Sequence, residues 1–488
     1  MQIEFFLLII SLLFFMSILV SKMSSRLGVP TLLLFLIVGM LFGSDGFGLH
    51  FENLKISQAI STVALCIILF AGGMETKFSE VKPVLAPGLV LATLGVFITT
   101  ILTGLIIYFL HNLPILREET IDFSLLFCFL LAATMSSTDS ASVFSILRSK
   151  GLKLKNNLRP ILELESGSND PVAYVLTITF IGLIMEPINN HYEMVVLTIF
   201  LQLIIGAIIG FLIGKGLVWF INKINIDNAS FYPILALTSC VFIFAVSYFL
   251  KGNSYLSVYI GGLVIGNSKL VHKRSIRNFF DSFSWLSQLL MFLTLGLLVN
   301  PSELKSMLLP GIIISFIMMF ITRPLSVFIS MIPFRKYSFK DKTYLSWVGL
   351  RGAVPIVFAI LCRIANVPHG EELFNIVFIC VLISLVIQGT TVPSFAKLLK
   401  LSDKPKQKMV KSDFDIDFSD EIKSATTEVV LTQDIIEKKG NNLLSFGIPE
   451  KTLVIMVKLR FPAVHSPTLT TRTMDSVKST LHRAMPPR

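Results

Sequence analysis

Glu165-Ser166-Gly167-Ser168-Asn169-Asp170-Pro171 stands between a basic loop ending at Arg159 and a long apolar run, so its carboxylates and carboxamide fall inside an expected membrane span. A carboxylate at that depth costs about 3 kcal/mol on insertion scales and more on others, so such a group faces a cavity, pairs with a cation or exchanges a proton. Function is therefore the first expectation for Asp170.

The rest of the chain supports the membrane reading. Hydrophobic residues make up 53% of its 488 positions and charged ones only 15%, and mean hydropathy is +0.76. No water-soluble fold needs so much apolar surface. The net charge of +11 does not indicate nucleic acid, because the basic residues sit in short loops between apolar runs, where they orient a membrane protein. Cys66, Cys128, Cys240, Cys362 and Cys380 are scattered singly through apolar spans and read as small buried hydrophobes, not disulfides or metal ligands. Residues 3–20 lack a basic n-region and a small-residue cleavage site, so they read as the first span, not a signal peptide.

Apolar runs of about 20 residues number thirteen, near 3–20, 29–49, 58–73, 84–110, 123–147, 160–186, 194–221, 231–250, 254–267, 284–300, 307–333, 343–364 and 372–398. Lysines and arginines concentrate in every second loop, for example at Lys77 and Lys82, Lys150 to Arg159, Lys269 to Arg277 and Arg335 to Lys342. By the positive-inside rule those loops are cytoplasmic, the N-terminus is outside and the C-terminus is inside.

Residues 1–398 form the expected transmembrane domain. From 399 to 425 a lysine run and then an acidic run read as a charged cytoplasmic linker. Two short apolar strands within 426–459 predict a small cytoplasmic α/β module, and 460–488, rich in Ser, Thr, Pro and Arg, predicts a disordered tail.

Two spans carry polar interruptions. In the fifth, Ser136-Ser137-Thr138-Asp139-Ser140 and Ser142 offer side chains that compete for backbone hydrogen bonds, which predicts an unwound midpoint. In the twelfth, Gly349 to Pro355 forms a second break, because Pro355 removes the bond that the Arg351 carbonyl would accept. Breaks in corresponding positions of two halves point to an inverted-repeat transporter with its site at the midplane. In the sixth span Glu165 and Asn169 share a helix face, with Asp170 about 100° further round. Together these residues offer hard oxygen ligands for a dehydrated monovalent cation. Arg351 reads as the one cation deep in a span that could neutralise Glu165, which predicts a structural ion pair.

These three runs, in order and with thirteen spans, resemble the cation:proton antiporter-1 family over residues 1 to about 398. The resemblance implies an all-α, dimeric inner-membrane antiporter with crossed, discontinuous fifth and twelfth helices. Carried over by residue, it makes Asp170 the ion and proton carboxylate, with Ser166, Thr138 and Asp139 as cation contacts. It makes Asn169 a stabiliser of the core and Glu165 with Arg351 the structural pair. Many members have Pro after the Thr-Asp where this chain has Ser140. The wording at 165–171 is closest to the potassium/proton branch, and residues 426–457 resemble the first part of the TrkA C-terminal regulatory module, which implies a small ligand there. No cofactor is called for.

One proton or one monovalent cation at a single Asp170 predicts electroneutral one-for-one exchange by alternating access. The chain has no P-loop for a primary pump. A ligand-regulated potassium channel is a second reading, weakened by the lack of a T-V-G-Y-G-type filter. A sodium-coupled organic-anion symporter is a third.

Overall fold

A chain crossing hydrocarbon must satisfy its own backbone groups, and in the computed structural model of this protein the apolar runs do so as helices. The structure describes residues 3–27, 29–51, 53–111, 123–186 and 192–403. The expected module at 426–459 and tail at 460–488 lie outside the described residues, as does most of the linker.

The helices are α1 (Ile3–Leu27), α2 (Thr31–Phe42), α3 (Leu54–Glu75), α4 (Phe78–Leu110), α5 (Leu125–Thr134), α6 (Ser140–Ser149), α7 (Leu158–Met185) and α8 (Tyr192–Lys223). There follow α9 (Phe231–Phe249), α10 (Ser254–Asn267), α11 (Lys273–Leu297), α12 (Leu304–Ser330), α13 (Phe339–Trp347), α14 (Val354–Ile364) and α15 (Gly370–Leu398). Among the described residues, eight helices are long and apolar enough to cross a bilayer: α3, α4, α7, α8, α9, α11, α12 and α15. Local chemistry starts several of them. Asn53 caps α3, Ser124 caps α5, and Ser338 with Asp341 forms a capping box on α13. The tenth expected span, 284–300, begins in the structure at Lys273, because the charged first turns of α11 fall outside an apolar window although they are helical.

The basic loops gather at one end of the helices. Asn267, ending α10, accepts from the Phe78 backbone and donates to the Thr76 carbonyl, both 2.8 Å. Asn222 near the end of α8 bonds Lys269 and Val271. Asn156 donates to Asp341 at 2.9 Å. The strands β1 (Lys153–Leu154) and β2 (Ser402–Asp403) pair antiparallel, and the Lys155 backbone donates to Leu401. This basic face therefore carries the loops before α4, α7, α11 and α13 and the exit from α15. At the opposite end Ser302 donates its backbone N–H to Asp45, and Ser44 bonds Asn300.

Parts of this bundle are held at backbone contact. Where α2 crosses α11, a Cβ on Gly39 would stand 2.5 Å from the Leu293 carbonyl, and one on Gly262 of α10 would stand 2.3 Å from the Phe70 carbonyl of α3. Only residues without a Cβ permit such approaches, which pair α2 with α11 and α3 with α10; α11 also packs along α3, so the four helices form one frame.

Candidate functional site

The two predicted breaks are present and they touch. Helix α5 stops at Thr134 and α6 starts at Ser140; α13 stops at Trp347 and α14 starts at Val354. A helix opened inside a bilayer exposes carbonyls and N–H groups that lipid cannot satisfy. Here several of them find protein partners. The Asp139 N–H donates to the Leu350 carbonyl at 2.7 Å, joining one break to the other. Arg351 donates through Nη1 to the Ser137 carbonyl at 2.6 Å, and its own backbone N–H bonds Ser384 at 2.9 Å. Gln388 donates to the Trp347 carbonyl and Ser166 to the Thr138 carbonyl, at 2.9 and 2.8 Å.

Helix α7 passes this crossing and runs unbroken through Pro171. Asp170 is its thirteenth residue, about 18 Å along a helix about 42 Å long, so it sits near mid-depth. The Ser137 hydroxyl donates to Asp170 Oδ1. One turn-face away, Asn169 donates from Nδ2 to Thr138 Oγ1 at 2.6 Å, while its Oδ1 has no protein donor. Asp139 caps α6: Oδ1 accepts the Ser142 N–H at 3.1 Å and Oδ2 the Ser142 hydroxyl at 2.5 Å. The structure thus brings Thr138, Asp139, Ser166, Asn169 and Asp170 into one region. Asp139, Ser166 and Asp170 line a cavity of about 480 Å³, and the Thr138 hydroxyl is turned to Asn169.

The ion pair differs from expectation. Glu165 is bonded by Arg323 of α12, not by Arg351, and both side chains are 2% exposed. Two causes are visible. A π turn at Met318–Thr322 precedes Arg323 and sets it facing α7, and Arg351 is already used by the carbonyl that the open fifth span leaves bare. Arg323 lies within the expected 307–333 span, so it was a second intramembrane cation legible in the sequence and overlooked. Ser137, the donor to Asp170, belongs to the quoted break but had no assigned role.

The cavity reaches from Asp170 to the basic loops at Lys150 and Arg159. Its wall carries five carboxylates, Glu75, Asp139, Glu163, Asp170 and Asp281, against those two bases. An excess of carboxylates on a cavity wall favours cations there.

Gly352 tests the crossing. A Cβ there would stand 2.5 Å from Asp139 Oδ2, so Gly352→Ala must displace the carboxylate that caps α6. We expect at least a tenfold lower maximal transport rate with little loss of yield, read in reconstituted vesicles; wild-type transport in that variant would show that the contact is dispensable. The order of magnitude is that of a lost cap and a misplaced site group.

Residues 10–398 match the transmembrane sodium/hydrogen exchanger family. The chain belongs to that family. It is a membrane cation/proton antiporter, and its relatives are transporters, not enzymes. It is 43% identical over 396 residues to the K(+)/H(+) antiporter NhaP of Alkalimonas amylolytica, covering 81% of this chain and 67% of that one. It is 41% identical over 409 residues to the K(+)/H(+) antiporter NhaP2 of Shewanella baltica, covering 83% and 68%. The fold is similar to that of the sodium proton antiporter MjNhaP1 of Methanocaldococcus jannaschii, with a TM-score of 0.69 and 23% identity over 82% of this chain and 99% of that one. Membership in the exchanger family disfavours the channel and symporter readings.

Proposed function

We propose that this exchanger carries a monovalent cation, K+ in preference to Na+, against one proton by alternating access at Asp170. The observation that carries the reading is a single buried carboxylate at the inner end of an acid-lined cavity, hydrogen-bonded by Ser137 beside two crossed helix breaks. Asp170 binds either ligand and is neutral with both. Ser166, Thr138 and Asp139 supply oxygens at the crossing, and Asn169 ties α7 to the fifth span. The names of the two K(+)/H(+) relatives support potassium.

Thirteen crossings are counted from the eight long helices, the two broken pairs α5/α6 and α13/α14, and α1, α2 and α10. An inverted repeat accounts for the paired features: π turns at Leu91–Gly95 in α4 and Met318–Thr322 in α12, and breaks in the spans that follow each. Each π turn also bonds the other's helix, for Ser326 of α12 donates to the Gly95 carbonyl and Thr103 of α4 bonds Thr322. The basic face is cytoplasmic and the membrane is the cell's inner membrane. The family resemblance adds a homodimer and a regulatory ligand beyond residue 403.

The test is dissipation of a pH gradient in proteoliposomes by K+, Na+, Li+ or Rb+. K+ should act at the lowest concentration, and a chain that moves cations without proton counterflow would defeat the reading. A second measurement addresses stoichiometry. With one titrating carboxylate the loaded site has the same charge for cation and proton, so a clamped membrane potential should neither drive nor retard tracer uptake under a fixed pH gradient. A steep voltage dependence would mean that a further group, Asp139 first, also carries a proton.

A further inference from the structure

The cavity reaches from Asp170 toward the basic face, and beyond Asp170 along α7 a specific set of contacts joins α7 to α10. Helix α10 has only 14 residues, about 21 Å against a hydrocarbon core of about 30 Å. Its first residues therefore start within the bundle. There Asn253, 1% exposed, donates from Nδ2 to the Pro171 carbonyl at 2.7 Å. The amide orientation is forced: its Oδ1 accepts the Leu256 N–H at 2.9 Å as the cap of α10, so the NH2 faces Pro171. The Asn253 backbone N–H also bonds the Gln202 carbonyl of α8. One turn outward, Tyr174 of α7 meets Tyr255 of α10 edge to face, centroids 4.8 Å apart, and Phe358 of α14 at 5.8 Å.

These contacts differ in kind from those inside the frame. Helix α10 is locked to α3 by backbone approach at Gly262, whereas α7 meets α10 here through an amide and two rings, which can part and re-form. Pro171 adjoins Asp170, so the bond ties the ion-binding residue's own helix to the frame on the side away from the cavity.

We propose that Asn253 is the latch of the outer gate. Its bond to Pro171, backed by the Tyr174–Tyr255 contact, holds α7 against α10 while Asp170 faces the basic loops, and it opens when Asp170 turns to the opposite face. Asn253 is a positioning residue, not a ligand, and the proposal rests on the alternating-access reading above.

Full-length protein in sealed vesicles of both orientations tests it, with K+ as the probe. Asn253→Ser keeps a capping oxygen for α10 but is too short to reach Pro171. Losing one neutral hydrogen bond shifts the balance of two states by roughly three- to tenfold. A state's share scales the apparent affinity of the face it serves. The half-saturating K+ concentration should therefore rise at the basic face and fall at the other. Thr177→Cys, two turns outward of Asp170 on the same side of α7, should react faster with a membrane-impermeant maleimide from the face opposite the basic loops when Asn253→Ser is present. Equal shifts at both faces, or unchanged labelling, would overturn the latch. Should Asn253→Ser fail to fold, Tyr255→Leu, which leaves the cap intact, must shift the two faces in the same opposite directions or the proposal fails. Wild-type vesicles showing no K+/H+ exchange would instead defeat the reading beneath it.

Discussion

Asp170→Asn should abolish coupled exchange in proteoliposomes and leave the protein folded. The substitution keeps the size of the side chain and an oxygen to accept the Ser137 hydroxyl, so the crossing retains its hydrogen bond. What disappears is the carboxylate to which the proposed function assigns the proton and the cation. A carboxylate 6% exposed at mid-depth is also costly to keep there, so its removal does not lower stability. The expected pair of results is no cation-dependent proton flux and a melting temperature equal to or above that of the wild type. Coupled flux surviving in Asp170→Asn would move the carrier role elsewhere, and Asp139 on the same cavity wall would be the next residue to replace.

The second large effect concerns the Glu165–Arg323 pair. Two charges this deeply buried are costly to bring in together, but breaking the pair is costlier, because the survivor has no water to turn to. Removing one partner should cost about 3 to 5 kcal/mol. Glu165→Gln and Arg323→Met should each lower yield and melting temperature sharply, and the double variant should recover a large part of the loss. Combining Glu165→Gln with Arg351→Met should give additive losses, because Arg351 holds the Ser137 carbonyl and not Glu165. Recovery in that second combination, and additivity in the first, would return the pairing to Arg351.

Much of this site was legible before any coordinates. The runs at 136–142 and 349–355 announced themselves as breaks because serine side chains and Pro355 deprive a helix of its ladder, and the structure opens both spans there. Asp170 stood out because a carboxylate in an apolar run needs a reason. The identity of Glu165's partner was not legible, for two arginines lay at membrane depth and sequence does not say which span packs on which. The π turn that aims Arg323 inward carries no proline or glycine within it to mark it. Asn253 was hidden differently. An asparagine before a helix is an ordinary cap, and its second bond, to a carbonyl 82 positions away, exists only in the folded bundle.

The short ladder between β1 and β2 changes where the exchanger ends. By sequence matching the family stops at residue 398, yet the backbone of Leu401 to Asp403 is bonded to the loop joining α6 to α7, and Asn156 of that loop grips the capping box of α13. A chain cut at 398 keeps every membrane helix and the Asn156–Asp341 bond but loses the ladder that ties the exit of α15 to the loop between α6 and α7. Such a truncation should run slower and melt earlier than one cut after Asp403. The last described residues of the chain are thus fastened to the loop that leads into α7, the helix that carries Asp170, and not to α15 alone.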